Sequence, residues 1–190
     1  MSSLYKNIHQ DLIELCGKND PKAQFKIYKL YYKAMYNSSL RIVKDAAEAE
    51  DIMQESFLAA FRNIKKYKGE VSFGAWLKKI VVNRSLDSLK KKKLELFPID
   101  SELYKLSEEE KEDKHNIEYS EEQITLLKKG IDLLPTGYRI ILNLYLIEGY
   151  DHEEIGSILN ITSSTSRSQF LRAKKKLIQI ISEKENQKML

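Results

Sequence analysis

Between residues 100 and 122 the chain reads DSELYKLSEEEKEDKHNIEYSEE, with ten acidic side chains against three lysines. A stretch this poor in large apolar residues cannot bury enough surface to offset the entropy of ordering it. It therefore divides the chain, and whatever folds must do so on either side of it. Pro98 reinforces the division, because proline stops a helix arriving from the N-terminal side. The expected organisation is one helical domain over residues 1–95, a flexible acidic linker over 96–122, and a second helical domain over 123–190.

Both flanks are basic, with nineteen Lys+Arg against eleven Asp+Glu before residue 100 and ten against seven after residue 122. Basic blocks suit a polyanion partner, with a solvated lysine-rich surface as the plain alternative. Hydrophobic residues make up 42% and charged residues 32% of the 190, with only 7 Gly and 3 Pro, which favours a soluble, all-α protein. No apolar run approaches a membrane span, and the N-terminal stretch lacks the apolar segment of a signal peptide. The single cysteine, Cys16, cannot form an internal disulfide, so a reducing cytoplasm is the expected setting and a small, half-buried apolar residue its expected role.

In the first block, Phe25, Tyr28, Tyr31, Tyr32 and Tyr36 recur at helical spacing, a stripe that reads as core. The next segment, DAAEAEDIMQESFLAAFRNIKKY, places Ile52, Ser56, Ala59 and Ala60 on one side and Phe57 and Phe61 four apart. Gly69 and Ser72 punctuate a loop, after which SFGAWLKKIVVNRSLDSLKKKK resumes a helix ending in four lysines, a charge that suits a helix C-terminus.

In the second block, EEQITLLKKGIDLL runs to Pro135, and YRIILNLYLIEG is apolar almost all round, as a central buried helix would be. Asp151 and Glu154 have the spacing of a capping box opening a short helix, which packs through Ile155, Ile158 and Leu159. Asn160 tolerates the left-handed conformation at a helix end, and Thr162 is suited to cap the next helix. Two short helices joined by a tight turn, the second one basic, describe a helix-turn-helix.

The faces of that second helix follow from about 100° per residue. Ser166, Phe170, Ala173 and Leu177 share one narrow inward stripe. Opposite them stand Ser164, Thr165, Ser168, Leu171, Arg172 and Lys175, with Arg167 on the flank near Lys174. Short hydroxyls let a helix N-terminus approach DNA closely. Arg172 is suited to a guanine edge and Leu171 to a thymine methyl, while Arg167, Lys174 and Lys175 neutralise phosphates. A capped, lysine-rich amphipathic helix is the bland alternative, which leaves the preceding capped helix and turn unexplained.

The first block narrows the reading. Asp51-Ile52-Met53-Gln54-Glu55 followed by Phe57, then Phe73-x-x-Trp76-Leu77-x-x-Ile80-x-x-Asn83-x-x-x-Asp87, resembles region 2 of bacterial RNA polymerase sigma factors. Leu134-Pro135, Tyr138-Arg139, Glu148-Gly149-Tyr150, Glu154-Ile155, Thr165-x-Arg167-Ser168 and Arg172-Ala173 resemble region 4. Together these cover most of residues 22–180, in the order found in the compact extracytoplasmic-function group.

That resemblance implies a transcription initiation factor that binds core polymerase and directs it to −10 and −35 promoter elements, assisting strand opening. It implies that Asp51, Gln54 and Glu55, which share a helix face at i, i+3 and i+4, bind the clamp of the β′ subunit, and that region 4 meets the flap of the β subunit. It implies −35 contacts from Ser164, Thr165, Arg167, Ser168, Leu171, Arg172 and Lys175. It implies −10 contacts from the base-capturing loop at Tyr67, Lys68, Gly69, Glu70 and Ser72 and from Lys79, Asn83 and Arg84, with Lys78 and Lys90–Lys93 adding charge. Trp76 reads as packing under that loop. The acidic linker resembles the segment that runs through the polymerase toward the RNA exit path, with a solubilising tether as the alternative. An anti-sigma factor, often membrane-bound, is a further implied partner.

Three departures stand out: relatives usually have Gly where Ser164 sits, commonly have Gly where Asn160 sits, and have an aliphatic residue where Ser166 sits, so looser packing is expected at Ser166. No phosphate-binding Gly-rich loop, nucleophile elbow or zinc motif is present, so neither enzyme chemistry nor a cofactor is expected. Glu48, Asp51 and Glu55 lack a Glu-x-x-His companion and His9, His115 and His152 are scattered, which disfavours a carboxylate metalloenzyme. A stand-alone helix-turn-helix regulator is the remaining alternative, and residues 1–95 look like neither a sensor nor a dimerisation domain.

Overall fold

The computed structural model describes residues 8–92 and 120–188, which fall into two compact units; the linker reading over 96–119 lies outside the described residues. Among the described residues there is no strand.

The first unit comprises α1 (Gln10–Gly17), α2 (Pro21–Val43), α3 (Ala46–Arg62), a 3₁₀ turn (Ile64–Lys66) and α4 (Phe73–Lys91). Short polar side chains set the helix starts. Asp20 accepts from the Ala23 N–H at 2.9 Å with Pro21 behind it, Asp45 accepts from Glu48 N–H at 2.8 Å, and Ser72 accepts from Ala75 N–H at 3.2 Å. Lys44 ends α2 in the left-handed region at φ 62°, so α2 and α3 are joined by two residues. Ile27, Met35, Met53, Phe57, Phe73, Leu77 and Val81 form the buried centre. Further along, the hydroxyls of Ser39 and Ser85 meet at 2.9 Å, fully buried, and Ser85 Oγ donates to Val81 O. Those small residues let α2 and α4 approach without leaving a polar group unsatisfied. Cys16 is fully buried, deeper than the half-buried position expected of it, and burial pushes its thiol pKa up.

The aromatic stripe of α2 is core except at its first member. Tyr28 and Tyr32 stack at 5.6 Å, Tyr28 meets Phe57 edge-on at 5.0 Å, and Tyr31 meets Phe73 at 5.6 Å. Phe25 is 58% exposed, with Lys29 Nζ 4.7 Å from its ring centre. It lies two residues from both Ala23 and Ile27, the buried positions, and so about 200° around the helix from each.

The second unit comprises α5 (Glu121–Asp132), α6 (Thr136–Leu142), a π turn (Asn143–Ile147), α7 (His152–Leu159) and α8 (Ser163–Lys188). Helix α5 begins inside the stretch assigned to the linker, because Ser120 and Gln123 form a reciprocal capping box. The expectation that YRIILNLYLIEG is buried all round holds only for its first half. Arg139 to Leu144 are buried, but Leu146 and Ile147 are 52% and 43% exposed. The π turn places an extra residue in the helical ladder, which rotates the residues beyond it off the buried face. The centre is built from Ile140, Ile141, Leu144, Ile155, Leu159, Ala173 and Leu177. The tail after Leu177 continues α8.

Candidate nucleic-acid interface

Each half of the helix-turn-helix is defined by local hydrogen bonds. Asp151 Oδ1 accepts from the N–H groups of Glu153 and Glu154, both at 2.8 Å, while Glu154 Oε2 accepts from Asp151 N–H at 3.0 Å. Asn160 closes α7 at φ 58°, and the Ile161 N–H donates to Gly156 O at 3.0 Å. Gly156 is what allows this close turn, since a Cβ there would lie 2.8 Å from Ile161 O. Thr162 Oγ1 then accepts from Thr165 N–H at 3.0 Å and starts α8.

The turn fixes which side of α8 faces out. Ser166, Ala173 and Leu177 are buried, and Phe170 is half-buried against Tyr145 at 4.5 Å. Ser164, Thr165, Arg167 and Lys175 are exposed, and Ser168, Leu171 and Arg172 are half-buried on the same outer side. The structure thus brings all seven residues expected to contact DNA onto one surface. Thr165 is partly engaged already, its hydroxyl lying 2.8 Å from that of Thr162. A helix presenting short hydroxyls at its N-terminal end and Arg and Lys one turn on is suited to enter a major groove.

Ser166 is not the loose point expected from its small size. Its hydroxyl is fully buried and shares a 2.9 Å hydrogen bond with His152 Nδ1. Sequence reasoning missed this use of His152, because the two residues are fourteen positions apart and no periodic pattern links them.

In the first unit, the loop before α4 is drawn in by Tyr67. Its Oη donates to Val71 O at 2.6 Å, and its ring packs against Phe73 at 5.6 Å and Trp76 at 5.4 Å. Tyr67 is half-buried and forms the floor of the loop, so part of the ring face that a captured base could meet is already covered by Trp76 and Phe73. Trp76 packs under the loop, as its place in the sequence suggests. Gly69 takes φ 72°, a conformation that favours glycine, and leaves Lys68 and Glu70 exposed at the tip. Ser72 is the cap of α4. Lys79 and Asn83 stand one turn apart on the exposed side of α4.

On α3, Asp51, Gln54 and Glu55 are all exposed, and Leu58, 55% exposed, extends the same strip. Leu58 was not singled out from the sequence. A groove of about 590 Å³ between α3 and α4 runs beside the strip, lined by Asp51, Glu55, Arg84 and Asp87 among others. Arg84 donates to Glu55 at 2.8 Å, and Glu48 Oε2 accepts from Lys92 at 2.6 Å with Ser88 donating to its other oxygen. These bonds hold the Glu48 carboxyl pKa below the usual carboxylate range, the hydrogen bond from Lys92 first and that from Ser88 second. Among the described residues no group of three or more His, Cys, Asp or Glu side chains is placed to hold a metal ion. No described helix is long and apolar enough to cross a membrane.

Comparison with known proteins gives two family matches, Sigma-70 region 2 over residues 27–95 and Sigma-70 region 4 over residues 125–177. The chain is 28% identical over 172 residues to the ECF RNA polymerase sigma-E factor of Salmonella typhimurium strain LT2, covering 87% of this chain and 90% of that protein. It is 28% identical over 174 residues to the RNA polymerase sigma-H factor of Pseudomonas aeruginosa, covering 87% and 89%. Its fold is similar to that of the sigma factor RpoE from Bartonella quintana, solved in complex with the anti-sigma factor NepR, with TM-score 0.57, 20% identity and coverage of 83% and 95%. It is also similar to CnrH, solved in complex with the cytosolic domain of CnrY, with TM-score 0.55, 15% identity and coverage of 92% and 97%.

Proposed function

Because this chain belongs to the extracytoplasmic-function group of sigma-70 RNA polymerase sigma factors, a family of transcription initiation factors that direct the polymerase to promoters, we propose a division of that task between its two units. The outer face of α8, carrying Ser164, Thr165, Arg167, Ser168, Leu171, Arg172 and Lys175, reads the −35 element. The loop from Tyr67 to Ser72, with Lys79, Asn83 and Arg84, holds the −10 element once its strands part. The strip Asp51, Gln54 and Glu55 on α3 docks on the β′ clamp of core polymerase, and the second unit meets the β flap.

The observation that carries this reading is the outward placement of all seven α8 residues on a doubly capped helix-turn-helix. Phosphate contacts from Arg167 and Lys175 supply affinity and register, while Arg172 supplies base discrimination. The hydroxyls keep the N-terminal turn low enough for a groove. In the first unit, a loop closed on its own tyrosine offers a rigid rim against which a splayed base can lodge, so that part of the unstacking cost is recovered in contacts. Catalysis belongs to the polymerase; this chain supplies recognition. It works in the cytoplasm and is held in check by an anti-sigma factor, membrane-bound or soluble.

Position-specific crosslinking tests this division. A photoreactive residue in place of Ser168 should crosslink near −35 in the holoenzyme–promoter complex, and one in place of Lys68 near −10. Crosslinks exchanged between the two elements, or absent from DNA altogether, would overturn the assignment.

A further inference from the structure

A buried hydroxyl without a partner is costly, and Ser166 sits fully buried one turn into the helix that presents the recognition face. Its partner, His152 Nδ1 at 2.9 Å, belongs to the first residue of α7. The His152 ring is itself fixed. It stacks on Tyr145 of the π turn at 4.7 Å and 20°, and meets Phe170 of α8 edge-on at 5.5 Å. Tyr145 and Phe170 touch at 4.5 Å, which closes a three-ring cluster drawn from three elements.

We infer that His152 is a positioning residue for −35 recognition, setting the roll and spacing of α8 against α7 through the buried Ser166 hydroxyl. This deepens the reading of α8 as the −35 reader and rests on it. Aliphatic packing tolerates sliding, because dispersion contacts are many and non-directional. A hydrogen bond between a ring held by two aromatic neighbours and a fully buried hydroxyl does not. Ser166 is flanked by Thr165 and Arg167 and lies two residues from both Ser164 and Ser168. A shift at Ser166 is therefore passed directly to the groups that face DNA.

The test uses full-length chain assembled with core polymerase, on a promoter that wild-type holoenzyme selects from genomic fragments. The readout is the ratio of run-off transcription from the intact promoter to that from a copy with a scrambled −35 element. His152→Phe keeps a ring between Tyr145 and Phe170 but removes the nitrogen, and the ratio should fall on the order of tenfold, as expected when a buried hydroxyl loses its partner. Affinity for core polymerase should stay at the wild-type level. The double variant His152→Phe/Ser166→Val, which replaces the polar pair by an apolar one, should recover most of the ratio. An unchanged ratio in His152→Phe overturns the proposal, as does a double variant no better than the single one. If His152→Phe does not fold, Ser166→Ala serves instead, with a severalfold loss expected and no loss contradicting the proposal. Failure of the wild-type chain itself to discriminate between the two promoters would overturn the α8 reading and is distinguishable from any of these results.

Discussion

Arg84 Nη1 lies 2.8 Å from Glu55 Oε2, an ion pair that ties α4 to α3 and joins a residue expected at the −10 element to one expected at core polymerase. Both partners are accessible, Arg84 at 39% and Glu55 at 66%, so the bond is one that either surface can exchange for an intermolecular contact. Exposed pairs of this kind contribute about 0.2–1 kcal/mol to stability. Glu55→Gln should therefore move the thermal midpoint by no more than a few degrees. Glu55→Lys, which places a cation against the proposed basic partner, should weaken core binding by tenfold or more, since like-charge juxtaposition costs several kcal/mol. Titration of fluorescent core polymerase with each variant measures this, and unchanged affinity for Glu55→Lys removes Glu55 from the docking strip.

Arg172→Ala should lower discrimination at one or two −35 base pairs by about 1–3 kcal/mol, the range for a lost bidentate base contact. Promoter-variant binding by the holoenzyme checks it. A uniform loss across all sequences would instead make Arg172 a phosphate contact.

Tyr67→Phe keeps the ring against Phe73 and Trp76 but removes the bond to Val71 O. The loop then loses its tie while the unit keeps its core. Open-complex formation, followed by permanganate reactivity of unpaired thymines, should drop severalfold, and core affinity should not change.

The two units were legible in the sequence to different depths. Caps are local: Asp151 with Glu154, Asn160, and Thr162 each act within four residues, and each stands where the sequence places it. The inward stripe of α8 was legible because a fixed helical period decides it. Pairs such as His152–Ser166 and Glu55–Arg84 were not, because they depend on the angle at which two helices meet. The exposure of Leu146 and Ile147 was hidden for a related reason, since the π turn breaks the period on which the prediction rests. Tyr67 was placed in a base-capturing loop by resemblance, and its bond to Val71 O appears only once the loop is closed.

Glu48 gives the first unit an acid sensitivity. Its carboxyl pKa is lowered by Lys92 first and Ser88 second, so its contribution is present above the ordinary Glu value and is lost as pH falls through the lowered one. Glu48→Gln should lower the thermal midpoint at neutral pH, and the gap from wild type should narrow progressively below about pH 4. Thermal melts of the full chain across that range follow it, and a gap that stays constant with pH would assign the loss to packing instead of charge.

Reconstituted transcription tests the central claim most directly. Purified core polymerase is mixed with the full-length chain and supplied with genomic DNA fragments, and run-off products are mapped. The account predicts initiation at discrete sites only when the chain is present, with a shared sequence near −35 whose mutation abolishes the product and whose reading is relaxed by Arg172→Ala. A chain that binds no core polymerase, or yields no site-specific start when free of any co-purifying inhibitor, would contradict it.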